Sequence, residues 1–205
     1  MAEKIVIEIE KLAGKTVEDF TKTAADPDGK LTTGSACAAV AALASAYLLR
    51  ASAMAEKSVA VSPRLEYIQK NAEILRAYMV HLIDEDVKCR GPLRKASLEG
   101  DPQVMEAARQ PAVAISAEIV NMMGQCLELL EELSAFCPRD AMHYVGESAE
   151  LALSACRAAR LYIVDLADLS TDETYRFVTR RENEITLESY AKTAAAILAR
   201  VEAAI

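Results

Sequence analysis

A chain of 205 residues is long enough for one sizeable domain with its own core. Its 52% hydrophobic and 26% charged residues, with only 5% aromatics, describe a folded, helix-rich protein built on small and aliphatic side chains and exclude a disordered one. The formal charge of −8, without clustered Lys and Arg, argues against nucleic-acid phosphates as the main partner, because neutralising a polyanion requires such clusters.

Along the chain, β-branched and polar residues alternate in strand fashion only in KIVIEIE, residues 4–10. The first helix is predicted from Thr16, where TVED reads as a capping pattern with Asp19 placed to reach back to the cap amide, and it extends to about Ala25. Asp26-Pro27-Asp28-Gly29 favours a turn, so residues 26–33 are expected to form a loop. Nineteen uncharged residues follow, Leu31 to Leu49, bracketed by Lys30 and Arg50. That length matches the roughly 20 residues needed to cross a bilayer. The segment nevertheless opens with Thr32, Thr33, Gly34 and Ser35 and is otherwise mostly alanine, whose transfer to lipid gains little. Small side chains instead let neighbouring helices approach closely, so the expectation is a central bundle helix from about Ser35 to Lys57, with no membrane partner. Arg50 should then reach solvent or a carboxylate, since a buried guanidinium without partners is costly.

Ser62-Pro63 restarts the chain as N-cap and N1 of a helix reaching about Cys89. Leu65, Ile68, Ala72, Leu75, Met79, Leu82, Asp86 and Cys89 recur along it at spacings of three and four, the seam of a packed helix. One member of that seam is a carboxylate. Gly91-Pro92 should break or bend the chain, Asp101-Pro102 caps a helix that continues past a kink at Pro111 to Leu133, and Cys137-Pro138 ends it. Helical patterning returns from about Asp140 to Asp168, and Ser170-Thr-Asp-Glu173 caps a last helix with a possible interruption near residues 183–186. The fold expected is all-α, an antiparallel bundle of about six helices spanning the chain as one domain.

Five cysteines without CxxC spacing, and no signal-like segment ahead of them, point to a reducing cytoplasm. With only two histidines to join those thiols, no metal site is expected.

Taken together, the FTKTAAD helix, the short loop ending in Gly34-Ser35, the small-residue helix after it, LIDEDVKC, RQPAVAISAEIV and LYIVDLADLSTDETY resemble one family. It is the cyclodeaminase/cyclohydrolase family of folate one-carbon enzymes, and the resemblance runs from Thr16 to about Phe177. In that family the loop before the small-residue helix is glycine-rich; here Thr32, Thr33, Gly34 and Ser35 occupy the place. Glycines there let a ligand approach the main chain at the positive end of a helix dipole, whereas two threonines narrow the space and add hydroxyls. By itself the segment also reads as a plain helix cap.

The family's acidic pair corresponds to Asp84 and Asp86. Residues two apart lie about 200° round a helix from each other, so both cannot face one pocket, and the seam favours Asp86. Burial there would let it hold a proton near neutrality, as a general acid must. Equally, Asp84 with Lys88 and Asp86 with Arg90 would make ordinary surface i,i+4 pairs. His81, one turn before Asp84, reads as a surface imidazole. The chain also departs from the family at His143-Tyr144, at Ala55-Glu56-Lys57, and at Tyr162 and Asp165, where asparagines are usual.

The resemblance implies a methenyltetrahydrofolate cyclohydrolase or a formiminotetrahydrofolate cyclodeaminase, with Asp86 or Asp84 as proton shuttle. Thr32, Thr33, Gly34, Ser35 and Asp165 would hold substrate. It implies a tetrahydrofolate derivative as substrate, no permanently bound cofactor, no metal, and a homodimer. The alternative is a helical binding protein or partner subunit that carries folate or another small ligand without catalysis.

Overall fold

The computed structural model describes residues 11–58 and 62–205; the KIVIEIE segment lies outside the described residues. Six α-helices and one 3-10 turn occur among them: α1 Val17–Ala25, α2 Thr33–Ser58, α3 Pro63–Glu99, α4 Pro102–Ser134, the turn Arg139–Ala141, α5 Met142–Asp168 and α6 Glu173–Ala204. The fold is all-α.

Local chemistry sets most boundaries. Thr16 caps α1 by accepting the Asp19 amide at 3.1 Å, and Asp19 reaches back to the Thr16 hydroxyl, 2.7 Å away, rather than to its amide. Ser62 accepts the Leu65 amide at 3.2 Å with Pro63 behind it, and Asp101 accepts the Gln103 amide at 2.8 Å. Asp172 caps α6 on the Tyr175 amide at 3.0 Å, while Ser170 supports Asp172 itself.

No helix ends at the three positions where the sequence suggests a break, bend or kink. Helix α3 continues through Gly91-Pro92 to Gly100, a C-cap with φ of 69°. Gly91, Pro92 and Lys88 all face solvent, so the carbonyl that proline leaves without its donor is open to water, while Leu93 and Ala96 extend the packed face. Helix α4 continues through the exposed Pro111 to Ser134, as expected from the sequence. Helix α6 passes Asn183 without a break, the Asn183 amide group donating to the Thr179 carbonyl at 2.8 Å.

Helix α2 packs against α3, α4 and α5. Ala38, Ala41, Ala44, Leu48, Ala51 and Ala55 are buried along it, and their small volume permits close approach: Ser148 of α5 donates across the interface to the Ala44 carbonyl at 2.7 Å. Both α2 and α4 are long and apolar enough to span a bilayer, and 44% and 50% of their most apolar windows are buried inside the bundle. Arg50 is exposed and lies 4.3 Å above the Tyr144 ring, so it reaches solvent along an aromatic face. At the opposite end of α2, where α4 begins and α5 ends, Arg109 is buried against Glu106 and Tyr175.

Candidate active site

The seam of α3 carries Asp86 into the interior, where it has no exposed surface. The first turn of α2 meets it there. Thr32 Oγ1 and Asp86 Oδ2 form a short hydrogen bond, the Ser35 amide donates to Oδ2 at 3.0 Å, and the Gly34 amide lies close enough to favour the charged carboxylate. Ser35 Oγ donates to the Ile83 carbonyl at 2.7 Å, pinning the two helices together one turn before Asp86.

Gly34 is required by this approach. A Cβ built on it would lie 2.4 Å from the Asp86 carboxyl atoms, far inside contact distance, so a side chain at this position would displace the carboxyl group. The second carboxyl oxygen, Asp86 Oδ1, is buried and has no hydrogen-bond partner among the described residues. A free acceptor of this kind is uncommon in protein interiors and marks a place for an incoming donor.

Burial is the main influence on Asp86 and raises its pKa above the ordinary carboxyl value; the bonds from Thr32 and Ser35 and the nearby Gly34 amide oppose it and do not cancel it. The Asp86 charge also acts on Cys37, Cys89 and Tyr162. Desolvation first, then that charge, pushes the Cys37 and Cys89 thiols to about 11. For Tyr162 burial comes first, followed by Asp86, Cys89 and Asp165, and its phenol rises to about 12. These three side chains are therefore protonated, neutral neighbours of the carboxyl group at neutral pH. Asp86 forms no ion pair with a cation among the described residues.

The residues singled out from the sequence divide. Asp86, Thr32, Gly34 and Ser35 converge. Thr33 points outward and is exposed. Asp165 is exposed on α5 near Tyr162 and makes no direct contact with Asp86. Asp84 serves the backbone instead. Its Oδ1 accepts the amides of Leu12 and Ala13 at 2.7 and 3.1 Å, holding the segment ahead of α1 against α3. Neither surface pairing with Lys88 or Arg90 forms; Lys88 pairs with Glu85, and Arg90 reaches the Asp28 carbonyl at 3.5 Å. His81 is a surface imidazole 3.7 Å from Glu85. Among the described residues no group of three or more His, Cys, Asp or Glu is placed to hold a metal ion.

One neighbour of the carboxyl group, Cys37, escapes the sequence reading as part of this site, whereas Tyr162 is singled out there only as a departure from the family pattern. Cys37 lies one turn after Gly34, so helical spacing alone could have found it. Tyr162 has no local spacing to place it here, because it arrives from α5, where it packs with Cys89, Ala112 and Leu166; only the family resemblance points to it.

A search among curated proteins finds no match. The crystal structure of formiminotetrahydrofolate cyclodeaminase from Thermotoga maritima superposes with a TM-score of 0.82, covering 93% of this chain and 97% of that one at 18% sequence identity. The fold is therefore shared in full, at a distance where likeness speaks for the fold alone. A family model, formiminotransferase-cyclodeaminase, matches residues 16–185, which include α1 to α5, the Asp86 junction and the start of α6. The chain belongs to the formiminotransferase-cyclodeaminase family.

Proposed function

We propose that this protein acts on a one-carbon unit held between two nitrogens of tetrahydrofolate, as a methenyltetrahydrofolate cyclohydrolase or a formiminotetrahydrofolate cyclodeaminase. The observation that carries the reading is Asp86: a buried carboxyl group without a cationic partner among the described residues, held at a helix N-terminus, with one oxygen unoccupied. In one reaction water adds to the methenyl carbon and the ring opens to a formyl group. In the other the second folate nitrogen, outside the pterin ring, adds to the formimino carbon and ammonia leaves. Both pass through a tetrahedral carbon bearing amines, so a proton must be moved and the pterin oriented, with no redox chemistry. Asp86 is the proton shuttle: burial raises its pKa above the ordinary carboxyl value, the direction that favours the protonated form a general acid needs. Thr32, Gly34 and Ser35 hold the reacting end of the substrate, Thr33 and Asp165 lie on the rim, and Asp84 supports the site through the backbone it anchors. The tetrahydrofolate derivative is substrate, not resident cofactor.

A homodimer in a reducing cytoplasm fits this reading. Tyr67, Ile74 and Tyr78 form an exposed aromatic and aliphatic stripe on one face of α3, and all five cysteines are free. The test of activity is direct: methenyltetrahydrofolate absorbs in the near ultraviolet, and its loss with added protein, or its appearance with ammonia from formiminotetrahydrofolate, distinguishes the two reactions. Neither change above buffer, together with no heat of binding, would overturn the folate reading. The carrier reading is favoured by one feature, the Thr32 side chain bonded to the carboxyl oxygen where the family has glycine. Binding without turnover would select it.

A further inference from the structure

Four oxygens form a chain at the junction of α2 and α3. Asp86 Oδ2 contacts Thr32 Oγ1, Thr32 Oγ1 lies 2.7 Å from Ser35 Oγ, and Ser35 Oγ lies 2.7 Å from the Ile83 carbonyl oxygen. Three O–H···O links require three protons. Each hydroxyl supplies one, while the carbonyl and an ionised carboxylate supply none. With Asp86 ionised, one of the three contacts would bring two oxygen lone pairs together with no proton between them. A protonated Asp86 supplies the missing one: Asp86 donates to Thr32, Thr32 to Ser35, and Ser35 to Ile83. The amide of Ser35 then occupies remaining acceptor positions on Thr32 Oγ1 and Asp86 Oδ2, at 3.3 and 3.0 Å.

The surroundings agree with this count. From α2 Asp86 is faced by Cys37, from α3 by Cys89, and from α5 by Tyr162 with Asp165 beyond it. None carries a positive charge. Of the two hydroxyls in the chain, Ser35 is fully buried and Thr32 is half-buried, so Thr32 is the member at the rim.

We propose that Asp86 rests as a neutral acid at neutral pH and that the Thr32 hydroxyl is the relay through which its proton reaches a bound ligand. In the transfer, the Thr32 proton passes to a ligand nitrogen as the Asp86 proton passes to Thr32 Oγ1. The ligand gains one proton, Thr32 is unchanged, and Asp86 becomes a carboxylate. The proton released when water adds, or when the attacking folate nitrogen loses its own, returns by the reverse path. The identity of the ligand rests on the folate reading; the proton count does not.

The unliganded protein with carbon-13 in its aspartate carboxyl groups provides the first test, by NMR or infrared spectroscopy at neutral pH. One protonated aspartic acid is expected, absent from Asp86→Asn. Should that variant not fold, Asp86→Glu moves the residue out of the labelled set and serves the same end. An ionised Asp86 at neutral pH overturns the proposal. The relay is tested by turnover of methenyltetrahydrofolate: Thr32→Val should lower kcat about tenfold or more with KM changed by less than about threefold, and Thr32→Ser should restore it. A Val variant with undiminished kcat overturns the relay. If the unsubstituted protein neither binds nor converts folates, that reading fails, and the carboxyl signal still decides the protonation.

Discussion

Arg109 and Asp86 are ionisable side chains with 2% and 0% of their surface exposed, and the molecule surrounds them in opposite ways. Arg109 pairs with Glu106 through two nitrogens, its Nε lying 2.9 Å from Glu106 Oε2, and its guanidinium lies 4.4 Å above the Tyr175 ring. Glu106 in turn accepts the Ser170 hydroxyl at 3.1 Å. Burial is the largest influence on Arg109 and works against its charge, but Glu106 and Tyr175 together outweigh it. Asp86 receives hydroxyl and amide groups and pairs with no cation among the described residues, although each side chain keeps one buried atom without a hydrogen-bond partner there, Asp86 Oδ1 and Arg109 Nη1. A charge buried for architecture is neutralised where it stands. A carboxyl group buried without an opposite charge is left able to exchange a proton, which architecture does not require.

That contrast is open to direct attack. The largest effect expected is on turnover: Asp86→Asn should lower kcat for the folate reaction by about a hundredfold or more, in line with loss of a positioned acid-base group, whereas Arg109→Lys should leave kcat within a few fold. Equal losses in the two variants would erase the distinction. Next in size, Glu106→Ala strands the Arg109 guanidinium in the interior and should cost about 3 kcal/mol in urea unfolding, the low end for a broken buried pair because Glu106 is itself partly exposed. Gly34→Ala forces a methyl group onto the Asp86 carboxyl and should destabilise by about 1–3 kcal/mol while abolishing turnover. Asp84→Asn removes a charged acceptor from the amides of Leu12 and Ala13 and should cost about 1–2 kcal/mol, with kcat reduced far less than by Asp86→Asn.

The smallest effect is a pair of opposed pH slopes. The pKa of Asp86 is raised in the folded state, so its contribution is most favourable below the ordinary carboxyl range and is lost as pH rises through the raised value. Glu106 is held below its ordinary value, chiefly by its hydrogen bonds from Arg109, so its contribution is present above the unfolded pKa and is lost as pH falls through the folded one. Melting temperatures measured across pH should therefore flatten on the alkaline side in Asp86→Asn and on the acid side in Glu106→Gln. The reverse assignment of slopes would contradict the electrostatics of both sites.

Much of the helical framework is legible in the residues alone. The caps at Thr16, Ser62 and Asp101 act within three residues, so their meaning is local, and the seam from Leu65 to Cys89 is buried as its spacing predicts. The same spacing turns Asp86 inward. Gly91-Pro92 does not end α3, because a proline's cost depends on whether the carbonyl it leaves unpaired reaches water, and that depends on which face of α3 the rest of the bundle covers. Asp84 is legible only as a neighbour of Asp86; its partners lie 71 and 72 residues away.

By itself the sequence determined where helices start, which face of each is apolar, and that one apolar face contains a carboxyl group, because those properties are carried by residues a turn or less apart. Only the tertiary structure decided what that carboxyl group meets. Thr32 and Ser35 lie 54 and 51 positions from Asp86. Their arrival depends on how closely α2 settles against α3, which every small side chain along their interface fixes together. The proton chain, the unoccupied oxygen and the intolerance of a Cβ at Gly34 are consequences of that packing distance, and no local pattern encodes them.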